Sequence, residues 1–403
     1  MAKDNYKNQE GGQSAEDKAL DRFAELLIDK ISTIQNDWKK PWFSESAQYW
    51  PKNMSGREYN GMNALMLQMH AEKNGYKMPV WATFDRLNAL NYTKDKQGKP
   101  VQLKDDNGKN LPHVGVNKGE KSFPVFITVY SVVHKEDRSR LKYQDWAQLP
   151  EEERNKYNVY PKLKAYSVFN IDQSNLKEAR PELYAKLESG YKQEVNHDDS
   201  FKLESMDRLL DNQLWVCPIK PTKGDDAYYS ISKDEIVVPL KEQFKSSESF
   251  YGNLFHEMSH STGAESRLNR LKPASFGSAE YAAEEMVSEL SAAITANRYH
   301  MTKYVKDDSL PYLKSWSDSL REKPGFVKSL LTDVKRASSM ITQRLDRIQL
   351  DIDEGRESKH EDYIDKGVKA PTSKVSDEKD AAKAVANSKE PKPEEEVRHG
   401  FRR

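Results

Sequence analysis

The chain has 403 residues, 32% of them charged, with a net charge of zero and a mean hydropathy of −0.92, so it is polar overall and long enough for two domains. Its 20 Tyr, 13 Phe and 7 Trp exclude a largely disordered protein, and the single cysteine, Cys217, excludes an intrachain disulfide. We see neither a signal peptide nor an apolar run of about 18 residues, and therefore expect a cytoplasmic protein with no membrane partner.

The first half of the sequence predicts an α+β domain over residues 18–175, preceded by a disordered segment over residues 1–17. Apolar residues recur at helical spacing over 20–34 and over 61–71, and a further helical segment is expected near 85–91.

Two strands and two insertions complete this predicted domain. Residues 123–133 and 166–171 are rich in Val, Phe and Tyr, and we expect them to pair as strands. The Gly- and Lys-rich stretch 94–112 predicts a flexible hairpin or insertion, and the charged stretch 137–164 predicts a partly helical insertion.

The second half predicts a mainly helical domain over residues 176–350 with a small β-sheet. Residues 176–215 are charged and helical in pattern, residues 228–239 predict a β-ribbon, and residues 326–350 predict a long helix. Lys, Glu and Pro dominate residues 351–403, which we expect to be a disordered tail.

The sequence His256-Glu-Met-Ser-His260 is the strongest indication of chemistry. It reads H-E-x-x-H in a stretch with helical periodicity, which Ser246 or Ser247 can cap and Gly263 can end in a left-handed conformation. Histidines four residues apart share a helix face, so both imidazoles can bind one cation, and Glu257 is placed to take a proton from a metal-bound water. The alternative is a coincidental pair of surface histidines.

The third ligand decides the subclass of such a site. A metzincin would have His where this chain has Ser266, so that pattern fails. A second predicted helix, residues 281–293, offers a carboxylate instead, as in gluzincins. We assign Glu285 as the ligand and Glu289, one turn later, as the carboxylate that orients a ligating histidine through its other ring nitrogen. Glu284 is the rival ligand, and a solvated acidic helix face is the alternative to both.

These ligands favour Zn²⁺, although Mn²⁺, Co²⁺ or Ni²⁺ can bind similarly. Three protein ligands leave one position for water, and a peptide bond is the usual substrate of such a site. The sequence leaves the donor to the oxyanion open among Tyr251, Tyr281, Tyr299 and His300.

Several motifs, in this order, resemble those of ArdC-type antirestriction proteins. The zincin-like metallopeptidase domain of that family is matched by His256–Gly263, Arg267–Arg270 and Tyr281–Leu290. Its N-terminal domain, which binds single-stranded DNA, is matched by Trp38…Pro41-Trp42, Ser55–Asn63, Gly75…Phe84, Asn117–Lys121 and Val168…Gln173. The resemblance covers about residues 20–300; the two insertions and the tail depart from it.

The resemblance implies a protein of plasmids or other mobile elements that acts when DNA enters a new host as a single strand. Such a protein can be transferred together with the DNA. A sequence-tolerant DNA site needs cations along a groove and aromatic faces for the bases. Residues 51–125, with 12 basic and 7 acidic side chains, are a modestly basic module. We assign stacking to Trp38, Trp42, Tyr59, Trp81 and Phe84, and phosphate contacts to Arg57, Lys118 and Lys121. Core packing is the alternative for each aromatic residue, and a plain β-turn is the alternative for residues 117–121.

Three functions follow as hypotheses. The first is a DNA-shielding protein whose metal domain is structural or regulatory. The second is a DNA-targeted metalloprotease that cleaves a protein such as a restriction subunit or a repressor. The third, weaker one is an accessory protein of conjugation or replication. We favour single-stranded DNA binding with a competent metallopeptidase site beside it, because a purely structural metal site does not require Glu257.

Overall fold

The described part of the computed structural model comprises residues 15–37, 40–43, 49–59, 61–191, 201–272, 274–275, 278–322 and 324–363. It divides into two compact units. The described residues of the first unit fall within 15–36, 43–191 and 317–328. Those of the second unit fall within 37–42, 201–316 and 329–363. Among the described residues, no helix has both the length and the apolar character that crossing a membrane would require.

The first unit begins with two helices that match the predicted apolar periodicity. Helix α1 spans Ala15–Asn36 and buries Phe23, Leu27 and Ile31 on one face. It starts inside the segment predicted to be disordered, of which residues 1–14 lie outside the described residues. The remaining helices of this part are α2 Met62–Asn74, α3 Phe84–Asn88, α4 Tyr143–Ala147, α5 Glu151–Arg154, α6 Leu176–Ala179 and α7 Pro181–Ser189.

A five-stranded sheet forms the centre of the first unit, in the order β1-β2-β7-β5-β6. Its strands are β1 Lys52–Asn53, β2 Val80–Ala82, β5 Phe123–His134, β6 Arg140–Leu141 and β7 Tyr157–Asn170; β3 Tyr92–Lys94 and β4 Pro100–Gln102 form a separate hairpin within the stretch predicted as an excursion. The long β5–β7 pair confirms the predicted strand pairing and extends it. The charged stretch 137–164 is therefore helical only in α4 and α5, since its last part is strand β7.

The boundary between the units lies later than residue 175. Leu176 is fully buried in the same core as Val80 and Ile171, and the partly buried Leu183 and Tyr184 of α7 pack against it. Both helices after residue 175 thus complete the first core instead of opening the second one.

The second unit combines a three-stranded sheet, in the order β8-β10-β9, with a bundle of helices. The strands are β8 Ile219–Thr222, β9 Tyr228–Ser230 and β10 Glu235–Pro239, so the predicted ribbon is the β9–β10 pair. The helices from residue 204 onward are α8 Glu204–Asp211, α9 Ser247–Thr262, α10 Ala279–Arg298, α11 Leu313–Glu322, α12 Pro324–Asp353 and α13 His360–Tyr363; residues 317–328 of α11 and α12 belong to the first unit.

Ordered structure extends past residue 350, where a disordered tail was expected. Tyr363 is buried, donates its hydroxyl to Asp351 and accepts a hydrogen bond at its carbonyl from Arg344. These contacts hold the chain end of the described part on α12; residues 364–403 lie outside the described residues.

Candidate functional site

Two capped helices present the predicted metal ligands. The side chain of Ser246 accepts a hydrogen bond from the Ser249 N–H at the start of α9, and that of Ser278 accepts one from the Tyr281 N–H at the start of α10. Gly263 follows α9 with φ −80°, so the predicted left-handed ending is wrong. Glycine is needed there for space, because a Cβ atom would lie 2.9 Å from Leu271 Cγ.

The structure brings His256, His260 and Glu285 together. The two Nε2 atoms are 3.1 Å apart, and the Glu285 oxygens lie 3.4 Å from Nε2 of His256 and 3.5 Å from Nε2 of His260. Four ligands at about 2.0–2.1 Å from a tetrahedral metal are roughly 3.3 Å from each other, so these spacings fit one divalent cation. All three side chains are at most 3% exposed, which leaves little water to solvate the converging nitrogens and carboxylate.

Each histidine is oriented by a carboxylate at its other ring nitrogen. Glu289 Oε2 lies 2.8 Å from Nδ1 of His256, and Glu284 Oε1 lies 3.1 Å from Nδ1 of His260. A carboxylate at Nδ1 favours the tautomer whose proton is there, so both Nε2 lone pairs face the triad. Glu289 thus has the placement predicted for it. Glu284, the rival ligand, lies outside the triad and supports the second histidine.

Two cations and one backbone N–H hold these carboxylates in the charged form. Arg270 contacts both oxygens of Glu284 at 2.7 and 2.9 Å, and Glu289 accepts from the Lys303 ammonium at 3.0 Å and from the Lys306 backbone N–H at 2.9 Å. Burial by itself raises the pKa of a carboxyl, but the Arg270 guanidinium outweighs it and lowers the pKa of Glu284 to about 2. Burial is likewise outweighed at Glu289, whose pKa lies below its usual range because of Lys303 and His256.

Glu257 is buried beside the triad without belonging to it. Its Oε1 lies 2.8 Å from the ammonium of Lys306, which also reaches the carbonyl oxygen of Ala227 at 3.5 Å. Sequence reasoning missed Lys303 and Lys306, because the segment between α10 and α11 has no periodicity or motif. It also gave Arg270 no role, although that residue lies in a motif used for the resemblance.

The four residues considered as donors to an oxyanion have different surroundings. Tyr251 donates its hydroxyl to Asp207 and Tyr299 donates to Asp346. His300 follows α10 in a left-handed conformation, with φ 57°. The Tyr281 hydroxyl lies beside the Glu285 carboxylate, and burial together with that carboxylate raises the pKa of Tyr281. Of these four, Tyr281 is therefore the one that the structure places against a residue of the triad.

Two of the aromatic residues predicted to stack on DNA belong to the core. Trp42 and Trp81 are fully buried, so neither indole offers a face to a base, and this corrects the prediction for both. The backbone N–H of Trp42 donates to the Lys303 carbonyl at 2.9 Å, and its indole N–H points to Glu289 at 3.5 Å. Tyr59 is 8% exposed, so its ring is also unavailable as a stacking surface. Trp38 lies outside the described residues.

The other four predicted DNA contacts lie on the surface of the first unit. Phe84 is 57% exposed at the first position of α3. Arg57 is exposed in a turn where Asn53 Oδ1 accepts from the Arg57 N–H and Gly56 has a φ of +85°. Lys118 and Lys121 are exposed at the turn that the Glu120 N–H closes on the Asn117 carbonyl. These residues are accessible to a ligand.

Two family models each match one part of the chain. Residues 17–169 match the model of the N-terminal domain of anti-restriction factor ArdC, and residues 206–329 match the model of a zincin-like metallopeptidase. Crystal structures of the antirestriction protein ArdC from the R388 plasmid, Mn(II)-bound and metal-free, superpose with a TM-score of 0.54 at 21% and 22% identity. The match covers 83% of this chain and 98–99% of those chains, which shows the shared fold.

Two curated proteins are also similar in sequence. One is a DNA primase TraC of Escherichia coli, 27% identical over 316 residues, which are 78% of this chain but only 19% of the primase. The other is the uncharacterized protein y4eC of Sinorhizobium fredii, 27% identical over 303 residues, which are 75% of this chain and 84% of that protein. Together with the family models, these matches confirm the predicted two-domain α+β fold with a zincin-like second domain.

Proposed function

We propose that this chain, which joins an ArdC-type N-terminal domain to a zincin-like metallopeptidase domain, is an antirestriction protein of a mobile element that binds incoming single-stranded DNA and hydrolyses peptide bonds at its metal site. The observation that carries the hydrolytic part is the buried triad with Glu257 beside it. It would act in the cytoplasm of the recipient cell, and could arrive there together with the DNA.

His256, His260 and Glu285 would hold the cation, with Glu289 and Glu284 fixing the two imidazoles. When bound, a divalent cation supplies a Lewis acid that polarises a carbonyl and lowers the pKa of a water molecule. Imidazole and carboxylate donors favour Zn²⁺, and Mn²⁺, Co²⁺ or Ni²⁺ suit the same donors. The Mn(II)-bound structure of the R388 protein concerns that protein, and it supports a divalent metal here only by analogy.

Glu257 is the residue proposed to move the proton. One of its oxygens is engaged by Lys306, which leaves the other to accept a proton from the attacking water and later to deliver it to the leaving amine. The Lys306 ammonium keeps the carboxylate in one orientation. Tyr281, next to Glu285, is the candidate donor to the developing oxyanion.

The DNA-binding part of the proposal depends on the first unit. Phe84 offers an exposed ring, and Arg57, Lys118 and Lys121 offer exposed cations, which are the two components of a sequence-tolerant single-strand site. Single-stranded DNA is the proposed partner because the ArdC-type domain and these side chains both favour it.

Two other functions are weighed against this one. A DNA-shielding protein with a purely structural metal would not need a buried carboxylate beside the triad, so Glu257 favours retained hydrolysis. An accessory role in conjugation or replication has some support from the name of the TraC relative, yet the aligned region is 19% of that protein. Primase activity is therefore not proposed for this chain.

One experiment tests both parts on the full chain loaded with Zn²⁺. Binding to a labelled single strand and to its duplex is measured by anisotropy over a salt series, and cleavage of a restriction-subunit and of a repressor substrate is followed by mass spectrometry. Glu257→Gln should retain metal and DNA binding and lose cleavage, while Glu280→Gln, an exposed carboxyl on α10, should retain all three. Cleavage by Glu257→Gln would refute the catalytic assignment, and no single-strand binding by the unsubstituted chain would refute the DNA part.

A further inference from the structure

One face of the long β5–β7 ribbon is formed by a distinct set of side chains. Paired residues of antiparallel strands point to the same side, and alternate residues share that side. The register pairs Ile127 with Lys164, Val129 with Lys162, Ser131 with Tyr160, and Val133 with both Asn158 and Arg140. We call these nine residues the ribbon face; it contains three cations, one tyrosine and no acid.

The helical insertion packs against the opposite face of the ribbon. Tyr130, which points to that side, stacks on Tyr143 of α4 with ring centroids 4.4 Å apart, and Tyr143 contacts Trp146 at 5.3 Å. Arg154 of α5 lies over the Trp146 ring at 5.9 Å. The acidic residues of α4 and α5 are therefore carried by helices that pack on the other side.

Five of the nine residues of the ribbon face are exposed, and the other four are partly buried. Tyr160 is 46% exposed and Ile127 is 41% exposed. Lys162, Lys164 and Arg140 are also exposed, and in the described part of the chain no ion pair joins any of them to a carboxylate. A positive surface without paired acids attracts an anionic partner, and an exposed aromatic ring can stack on a partner that has aromatic faces.

We propose that the ribbon face is a second contact surface for single-stranded DNA, in addition to the surface that carries Arg57 and Phe84. Lys162 and Lys164 are two residues apart, so their side chains leave the strand about 7 Å from each other on the same side and can follow successive phosphates of an extended backbone. Tyr160 lies next along the same strand and offers its ring to an unstacked base.

A single strand fits this face better than a duplex. A two-stranded ribbon can enter a major groove and read base edges with polar side chains. Here Ile127 and Val129, which lie opposite the two lysines, have no groups to pair with base edges, and these side chains and the Tyr160 ring can contact unstacked bases. The inference rests on the proposed single-strand binding and adds to it a surface on the insertion that departs from the family pattern.

The test compares two matched triple variants of the full chain. The first, the ribbon variant, combines Tyr160→Ala, Lys162→Gln and Lys164→Gln. The control combines Tyr92→Ala, Lys94→Gln and Lys96→Gln. It removes the same kinds of side chain from the β3–β4 hairpin, where Tyr92 is 44% exposed. Anisotropy with labelled oligo(dT), with and without an unlabelled duplex competitor, gives the dissociation constant at several salt concentrations.

We expect the ribbon variant to bind oligo(dT) at least tenfold more weakly. The slope of the logarithm of the binding constant against the logarithm of the salt concentration should also become shallower by about 1.4, because each of the two lost phosphate contacts on a single strand contributes about 0.7. The control should differ from the unsubstituted chain by less than twofold. Tyr160→Phe alone, which keeps the ring, should bind normally, and unchanged far-UV circular dichroism and melting would show that both triple variants are folded.

Three results would contradict or relocate the inference. If the ribbon variant binds like the control while the unsubstituted chain binds oligo(dT), the ribbon face is not a contact surface. If it loses duplex binding but keeps single-strand binding, the proposed occupant is wrong. If the unsubstituted chain does not bind oligo(dT), the proposed DNA-binding function itself fails, and the ribbon face inference fails with it.

Discussion

The ammonium of Lys306 lies 2.8 Å from Oε1 of Glu257, so the proposed general base is paired with a cation in the resting protein. The side chain of Lys306 is 15% exposed and that of Glu257 is 1% exposed, so the two charges meet in a poorly solvated site. Such a cation restrains the base, but it also opposes the binding of a second positive charge nearby.

Replacing Lys306 should therefore strengthen metal binding. We expect Lys306→Met to lower the dissociation constant for Zn²⁺ or Mn²⁺ by roughly tenfold, about 1.4 kcal/mol, because a positive charge is removed near the triad and the carboxylate of Glu257 loses its cationic partner. Competition with a chromophoric chelator measures this. Lys245→Met, which removes an exposed cation from the same unit, should leave the constant unchanged. Equal affinities in both variants would mean that the ammonium does not act on the cation.

The two carboxylates behind the histidines should matter for metal binding although neither is a ligand. Glu289→Gln and Glu284→Gln should each weaken metal binding by about 10–100-fold, since a neutral amide no longer enforces the ligating tautomer. Titration calorimetry on the apoprotein measures the change, with Glu280→Gln as the control on the same helix. Glu285→Gln should lose far more affinity; similar losses at Glu284 and Glu285 would reopen the choice of the third ligand.

A side chain at position 263 should destabilise the protein. In Gly263→Ala the new Cβ would lie 2.9 Å from Leu271 Cγ and 3.1 Å from Arg270 Nη2, so we expect a loss of about 1–3 kcal/mol in unfolding free energy. Displacement of Arg270 should also loosen Glu284 and weaken metal binding. Chemical denaturation followed by tryptophan fluorescence measures the first effect. Gly224→Ala, where a Cβ meets nothing within 4 Å, should behave like the unsubstituted chain.

Acidification should destabilise the first unit through His70. Burial, with help from Arg22 and Lys73, lowers the pKa of His70 to about 4, and its ring stacks on Phe123 at 4.2 Å. The unfolded chain, with an ordinary pKa near 6.5, binds the proton first, so stability is full above about pH 6.5 and is lost as the pH falls toward 4. At pH 5 the loss is at most about 2 kcal/mol, because residual exposure reduces it.

Hydrogen exchange of α2 at pH 7 and pH 5 would measure this effect locally. His70→Phe keeps an aromatic ring against Phe123 and removes the titrating group. The protection of the α2 amides in this variant should therefore change less between the two pH values. Identical pH dependence in the variant and in the unsubstituted chain would exclude His70 as the cause.

Alanine substitution of a buried aromatic residue of the first unit should lower stability, whereas substitution of an exposed one should weaken DNA binding. Trp81→Ala should cost about 3–5 kcal/mol of stability because it empties the core. Phe84→Ala should change stability by less than about 0.5 kcal/mol and weaken oligo(dT) binding by about 1–3 kcal/mol, the usual contribution of one stacked base. Thermal melting and anisotropy on both variants separate the two roles. Normal DNA binding by Phe84→Ala would remove Phe84 from the proposed site.

Local patterns in the sequence determined much of this protein. The i, i+4 spacing of His256 and His260 puts both rings on one face of any α-helix, and the carboxylates of α10 follow the same rule. Helix caps at Ser246 and Ser278, and the alternation of β5 and β7, likewise depend on a few neighbouring residues. The fold class, the pairing of the long strands and the convergence of His256, His260 and Glu285 could therefore be predicted.

Contacts between distant segments were decided only by the tertiary structure. Trp42 approaches Glu289 across 247 residues of sequence, and Lys306 reaches Glu257 from a segment without any periodic pattern. Short motifs identified Trp42 and Trp81 as aromatic residues that could stack on bases, but they could not distinguish a buried ring from an exposed one. Burial, ion pairing and the free face of the β5–β7 ribbon depend on which surfaces meet after folding, and short-range spacing carries no information about that.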